Sequence, residues 1–135
     1  MAIAVAVGMN YKRAHRLIET IKAYPIKIPV MLFFYGDFVQ QYPEAVVRWS
    51  QHFDVGIRED SHYPLGHFER MAYNWIRAAL ISSEMKFRQI GIQPSFYLPL
   101  NLSLNVTANA RDRGFRIVKP SAVFPPPLAY PGNYY

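Results

Sequence analysis

The chain has 135 residues, 51% hydrophobic and 18% charged, which is one domain's worth with a packed core and argues against global disorder. Lys and Arg total 15 against 9 Asp and Glu, giving a formal charge of +6 and a pI near 9.7. These cations are scattered, with no dense basic run or RNA-reading motif, so nucleic acid enters only through diffuse positive charge. The absence of cysteine excludes a disulfide scaffold and a Cys-based metal centre.

Ala2–Val7 is a continuous apolar run, read as a buried strand. It is too short for a signal h-region or a membrane span, and no basic residue precedes it. The expectation is a protein without a signal peptide, cytoplasmic or held within a multi-subunit particle. Gly8-Met-Asn10 breaks the strand, and Asn10 is placed to cap a helix over Tyr11–Tyr24. Ala14, Leu17, Ile18 and Ile21 form the apolar stripe of that helix, while Lys12, Arg13, Arg16 and Glu19 face water. Pro25 closes it.

Val30–Tyr35 predicts a second buried strand, ended by Gly36. Pro43 suits the first turn of a short helix that packs Ala45, Val46 and Trp49 inward. Phe53–Ile57 predicts a third strand. The polar segment Arg58-Glu-Asp-Ser-His-Tyr-Pro-Leu-Gly-His67 that follows is the densest group of chemically capable side chains in the chain. A long helix is expected from Phe68 to Arg88, with Phe68, Met71, Ala72, Trp75, Ala79, Leu80 and Phe87 buried and Gly91 as its stop. Ser95–Leu98 and Phe115–Val118 predict the fourth and fifth strands, separated by a loop over Asn101–Asn105, a helix near Val106–Arg113 and a Gly114 cap. Asn101-Leu-Ser and Asn105-Val-Thr match glycosylation sequons but are read as chance. Residues 124–135, which contain Pro-Pro-Pro and end in Tyr-Tyr, read as an extended tail of polyproline character. Short buried strands alternating with amphipathic helices imply parallel βα units with right-handed crossovers. The expected organisation is an α/β domain over 1–123 followed by the tail.

The segment from Pro29 to Leu65 carries a resemblance. Gly36-Asp-Phe-Val39 and Tyr42-Pro-Glu44, followed by Val55-Gly-Ile-Arg-Glu-Asp-Ser-His62, resemble the core of the polysaccharide deacetylase (NodB-homology) domain. In that family an apolar strand leads into G-x-F-V-x-x-Y-P-E and then into a two-histidine motif. Gly114-Phe-Arg-Ile-Val118 resembles a later strand of the same domain. The resemblance implies a (β/α) barrel, here incomplete, with about five parallel strands. It implies an ancestral deacetylation of acetylated sugars, using a divalent metal held by one Asp and two His, with a second Asp as base.

Position by position, the resemblance also implies that this chemistry is lost. The two family carboxylates would fall in Ala6-Val7-Gly8-Met9-Asn10, which has none. The two imidazoles would fall on Arg58 and His62; arginine is permanently cationic and does not bind metal. The Arg that orients the base would lie in Leu98–Leu102 and is absent, and the chain ends before the motif carrying the acid histidine. Groups that act as a unit fail as a unit. The expectation is a pseudoenzyme without cofactor, with Arg58, Asp60, His62 and His67 lining a degenerate pocket and only His62 left as a residual metal candidate.

A metal held by His62 and His67 with Asp60 or Glu59 is disfavoured, because the two His are five apart with Pro64 between them and Arg58 repels a cation. The favoured alternative is a polar loop in which Arg58 pairs with Asp60 or Glu59. His15 and His52 are expected on solvated helical surfaces. Trp49 and Trp75 are read as core in preference to sugar platforms, and Met71 and Met85 as gap-fillers. The aromatic tail residues Phe124, Tyr130, Tyr134 and Tyr135 are suited to docking on a neighbour. The favoured function is thus a structural or interaction subunit with other protein subunits as partners. The alternative is a glycan-binding protein or a divergent metal-dependent deacetylase.

Overall fold

Five strands, β1 (Ile3–Ala6), β2 (Val30–Tyr35), β3 (Asp54–Arg58), β4 (Phe96–Tyr97) and β5 (Arg116–Ile117), lie side by side in chain order, all parallel. The computed structural model describes residues 2–24, 27–64 and 66–119. Pro25 and the tail with Phe124, Tyr130, Tyr134 and Tyr135 lie outside the described residues. The connections carry α1 (Tyr11–Ala23), α2 (Gly36–Gln41), α3 (Pro43–Ser50), α4 (Tyr73–Gln89) and α5 (Leu104–Asp112). The sheet curls into a half-barrel flanked by these helices, the incomplete (β/α) barrel that the sequence implies.

Side chains alternate across each strand, so the register sorts them into two faces. Val30, Leu32 and Phe34 share a face with Ile57 and Tyr97, and pack with Ile18, Val46, Trp49, Leu80 and Phe87 into one hydrophobic core under the helices. Met31, Phe33 and Tyr35 pair with Asp54, Gly56 and Arg58 on the opposite face, the inside of the curl. Phe33 is fully buried there, lying so close over Gly56 that a Cβ at that position would stand 2.3 Å from its ring.

Local chemistry fixes the helix ends. Asn10 Oδ1 accepts from Arg13 N at 3.0 Å, the expected cap of α1. Ser103 Oγ accepts from Val106 N at 3.1 Å, so α5 begins at Leu104, two residues earlier than predicted. Gly91 and Gly114 adopt φ of +82° and +78°, the left-handed conformation that ends α4 and α5 at the expected places. One helix escaped the sequence reading: α2 follows β2 without a loop. Gly36 lets it seat against α4, since a Cβ there would meet Asp60 Oδ1 at 2.5 Å and Ser83 Oγ at 2.7 Å.

The long helix predicted from Phe68 is two pieces. A 3₁₀ turn covers Phe68–Arg70, and Met71 and Ala72 are extended, with ψ of 155° and 154°. The break resets the helical phase. The buried stripe of α4 becomes Ile76, Ala79, Leu80, Ser83, Glu84 and Phe87, and Trp75 turns outward at 69% exposure. Met85 is also exposed instead of filling the core, Ala72 is exposed and Met71 is half-buried. Glu84 compensates its burial by accepting from Arg113, Arg88 (3.1 Å) and Gln93 (3.2 Å), which ties α5 to α4. His52 is exposed in the turn after α3, whereas His15 is half-buried beside Tyr11 and Trp49.

Candidate functional site

All five strands point the same way, so their carboxyl ends gather at one edge, where ligands of parallel α/β folds sit. Four segments meet there: Gly8–Asn10 after β1, the junction of β2 and α2 at Tyr35–Asp37, Arg58–His62 from the last residue of β3 onward, and Leu98–Leu100 after β4.

Arg58 crosses the mouth of the curl. Its Nη1 donates to Val7 O at 2.8 Å, spanning β2 to reach the end of β1, and its guanidinium carbon lies 3.9 Å from the centre of the Tyr35 ring. The expected pairing of Arg58 with Asp60 or Glu59 does not form. Strand alternation turns Arg58 to the inside of the curl and Glu59 to the helix face, where the Tyr97 hydroxyl donates to Glu59 Oε2 at 3.0 Å. Asp60 continues outward to α4, accepting from Ser83 Oγ at 2.9 Å and from Lys86 Nζ at 2.8 Å. Asp37, in the first turn of α2, accepts from Ser61 N at 3.2 Å and from the Ser61 hydroxyl. The loop after β3 is therefore tied to α2 through Asp37 and to α4 through its own Asp60.

The four degenerate-pocket residues separate. Arg58 is in the mouth, whereas Asp60 is turned to α4. His62 is exposed, with its ring 4.2 Å from that of Tyr63, and His67 is exposed before the 3₁₀ turn. The position that the resemblance gives to the first imidazole ligand holds a guanidinium. The turn after β1 offers only Asn10, whose side-chain oxygen caps α1. Among the described residues no three His, Asp or Glu side chains gather as metal ligands. The donor set among the described residues does not fit a divalent cation. Tyr35 and Tyr97 were missed as site residues; the signal was available for Tyr35, which sits opposite Arg58 once β2 and β3 are set in parallel register. Ser83 and Lys86 lie more than twenty positions from Asp60, and no local pattern announces them.

Burial sets the electrostatics. It pushes the Glu59 carboxyl above its ordinary range, an effect that the Tyr97 hydrogen bond and the Arg58 charge only partly oppose. It also raises the Tyr97 and Tyr35 hydroxyls and lowers Arg58. For Glu59 the folded chain holds its proton more tightly than the unfolded chain. Its contribution to stability is complete below the unfolded value of about 4.3 and is lost as pH rises through the raised folded value. Glu59→Gln should therefore gain on the wild type as pH rises from acid to neutral. Urea midpoints across that range test this, and a constant difference between the two proteins would refute it.

No protein-family model matches the sequence, and no curated protein does. Solved structures match clearly. The family 4 carbohydrate esterase from Streptomyces lividans, in complex with acetate, superposes with a TM-score of 0.75 over 88% of this chain and 61% of its own, at 12% identity. The peptidoglycan deacetylase PdaC from Bacillus subtilis gives 0.72 over 87% and 56%, at 20% identity. A CE4 family pseudoenzyme from Bacillus anthracis gives 0.71 over 86% and 41%, at 15% identity. The chain has the polysaccharide deacetylase fold and spans about half the length of these proteins. The fold has catalytic and non-catalytic members, and a mutant of the Bacillus anthracis protein carries restored enzymatic activity.

Proposed function

We propose that this chain is a non-catalytic deacetylase-fold protein that works as an interaction subunit of a larger assembly. The observation that carries the reading is Arg58, a fixed cation bound to Val7 O where the resemblance puts a metal-binding imidazole. A dication placed beside it meets repulsion, with no carboxylate on the turn after β1 to offset it. The interaction role draws support from the same end of the fold. Leu100 and Leu102 are exposed on the loop between β4 and α5, Leu104 is 90% exposed at the start of α5, and Trp75 is exposed in the first turn of α4. Exposed apolar side chains gathered at one end suit a protein partner.

The test is enzymatic and hydrodynamic. Purified chain supplied with zinc should bind no stoichiometric metal and release no acetate from an N-acetylglucosamine oligomer. Metal uptake with acetate release would overturn the non-catalytic reading. Native mass should show association that Leu100→Ser/Leu104→Ser weakens. A monomer that captures no partner and is indifferent to those substitutions would overturn the interaction role.

A further inference from the structure

Arg58 has donors to spare. A guanidinium carries five N–H groups in a planar fork, and here Nη1 is engaged by Val7 O while Tyr35 covers the plane. No carboxylate among the described residues lies within ion-pair distance of it. Glu59 is turned to Tyr97, Asp60 to Lys86, and the first turn of α1 beyond Val7 has no acid. The edge formed by Nε and Nη2 thus has no partner among the described residues. It belongs to a half-buried side chain that is desolvated enough to lower its own proton affinity. A cation withdrawn from water in this way is destabilising until an anion meets it, and a two-nitrogen edge matches the two oxygens of a carboxylate.

We propose that Arg58 anchors a carboxylate-binding site in the mouth of the half-barrel, taking a small organic acid or the acid group of a uronic sugar. The inference rests on the reading that Arg58 stands in the place of a metal-binding imidazole, and it adds the ligand class that this exchange selects. A carboxylate seats side-on against Nε and Nη2, with Tyr35 fixing the plane of the fork.

The Nε–H resonance of Arg58 in ¹⁵N-labelled protein reports the site directly and needs no variant. Titration with sodium acetate and with sodium glucuronate should move it saturably, while chloride and phosphate should move it less and without saturation. Tighter binding of glucuronate assigns the sugar acid; equal binding assigns the simple acid. Arg58→Lys should weaken the carboxylate about tenfold, since it keeps the charge and loses the fork, and Arg58→Gln should abolish binding. No saturable shift, an equal response to phosphate, or unchanged affinity in Arg58→Lys would overturn the proposal. Zinc uptake in the earlier assay would instead overturn the reading beneath it, so the two failures are separable.

Discussion

Gly56→Ala is expected to remove about 3 kcal/mol of stability, a large share of the 5–15 kcal/mol of an ordinary domain. The added methyl carbon would lie 2.3 Å from Phe33 Cε1, 2.6 Å from Phe33 Cδ1 and 2.9 Å from the carbonyl oxygen of Phe96. Phe33 is fully buried, so its ring has no free space to enter, and the Phe96 oxygen belongs to the neighbouring strand. Relief requires β3 to move away from β2 or β4. Phe33→Ala alone leaves a cavity and costs about 3–5 kcal/mol. Combined, the two changes should lose at least 1 kcal/mol less than their sum, because the new methyl enters the space the ring left. Urea unfolding of the four proteins measures the coupling. Strict additivity would mean that Phe33 is not what excludes a side chain at position 56.

The second strand was the most legible because Val30–Tyr35 is apolar on both faces, whereas β1, expected to be buried, has Ile3 exposed and its other residues half-buried. The helices were legible where a cap or a break is written in one residue, as at Asn10, Pro43, Gly91 and Gly114. The phase of α4 was not. Trp75 and Ile76 are adjacent apolar residues, and only the start of the helix decides which one faces the core. That start is set by the extended pair Met71 and Ala72, neither of which is a helix breaker. The site was half legible. Arg58 could be placed in the mouth from the motif, but its partner could not, because the partner is a backbone oxygen 51 residues away, just past the end of β1. Strand parity then separates Arg58 from Glu59, although the two are neighbours in sequence.

Trp49→Ala should cost about 3–5 kcal/mol, whereas Trp49→Phe should cost less than about 2 kcal/mol. Trp49 is fully buried between layers: its ring stacks on Phe34 at 6.0 Å and 5°, and Tyr11 packs on it at 6.2 Å. Its removal detaches α3 from both β2 and α1. Phenylalanine keeps most of the ring contact, and it discards an indole N–H that is buried without an acceptor among the described residues. An unsatisfied donor of this kind is itself destabilising, so its loss offsets part of the lost area. Equal losses in the two variants would mean that the N–H has a partner or that the ring packs differently. Trp49→Phe, set beside Trp75→Phe, also tests the phase of α4, since the chain has two Trp. In Trp49→Phe the emission comes from Trp75 alone and should be that of an indole in water. In Trp75→Phe it should be blue-shifted and poorly quenched by acrylamide. A blue-shifted Trp75 would return that residue to the core, and with it the single unbroken helix from Phe68.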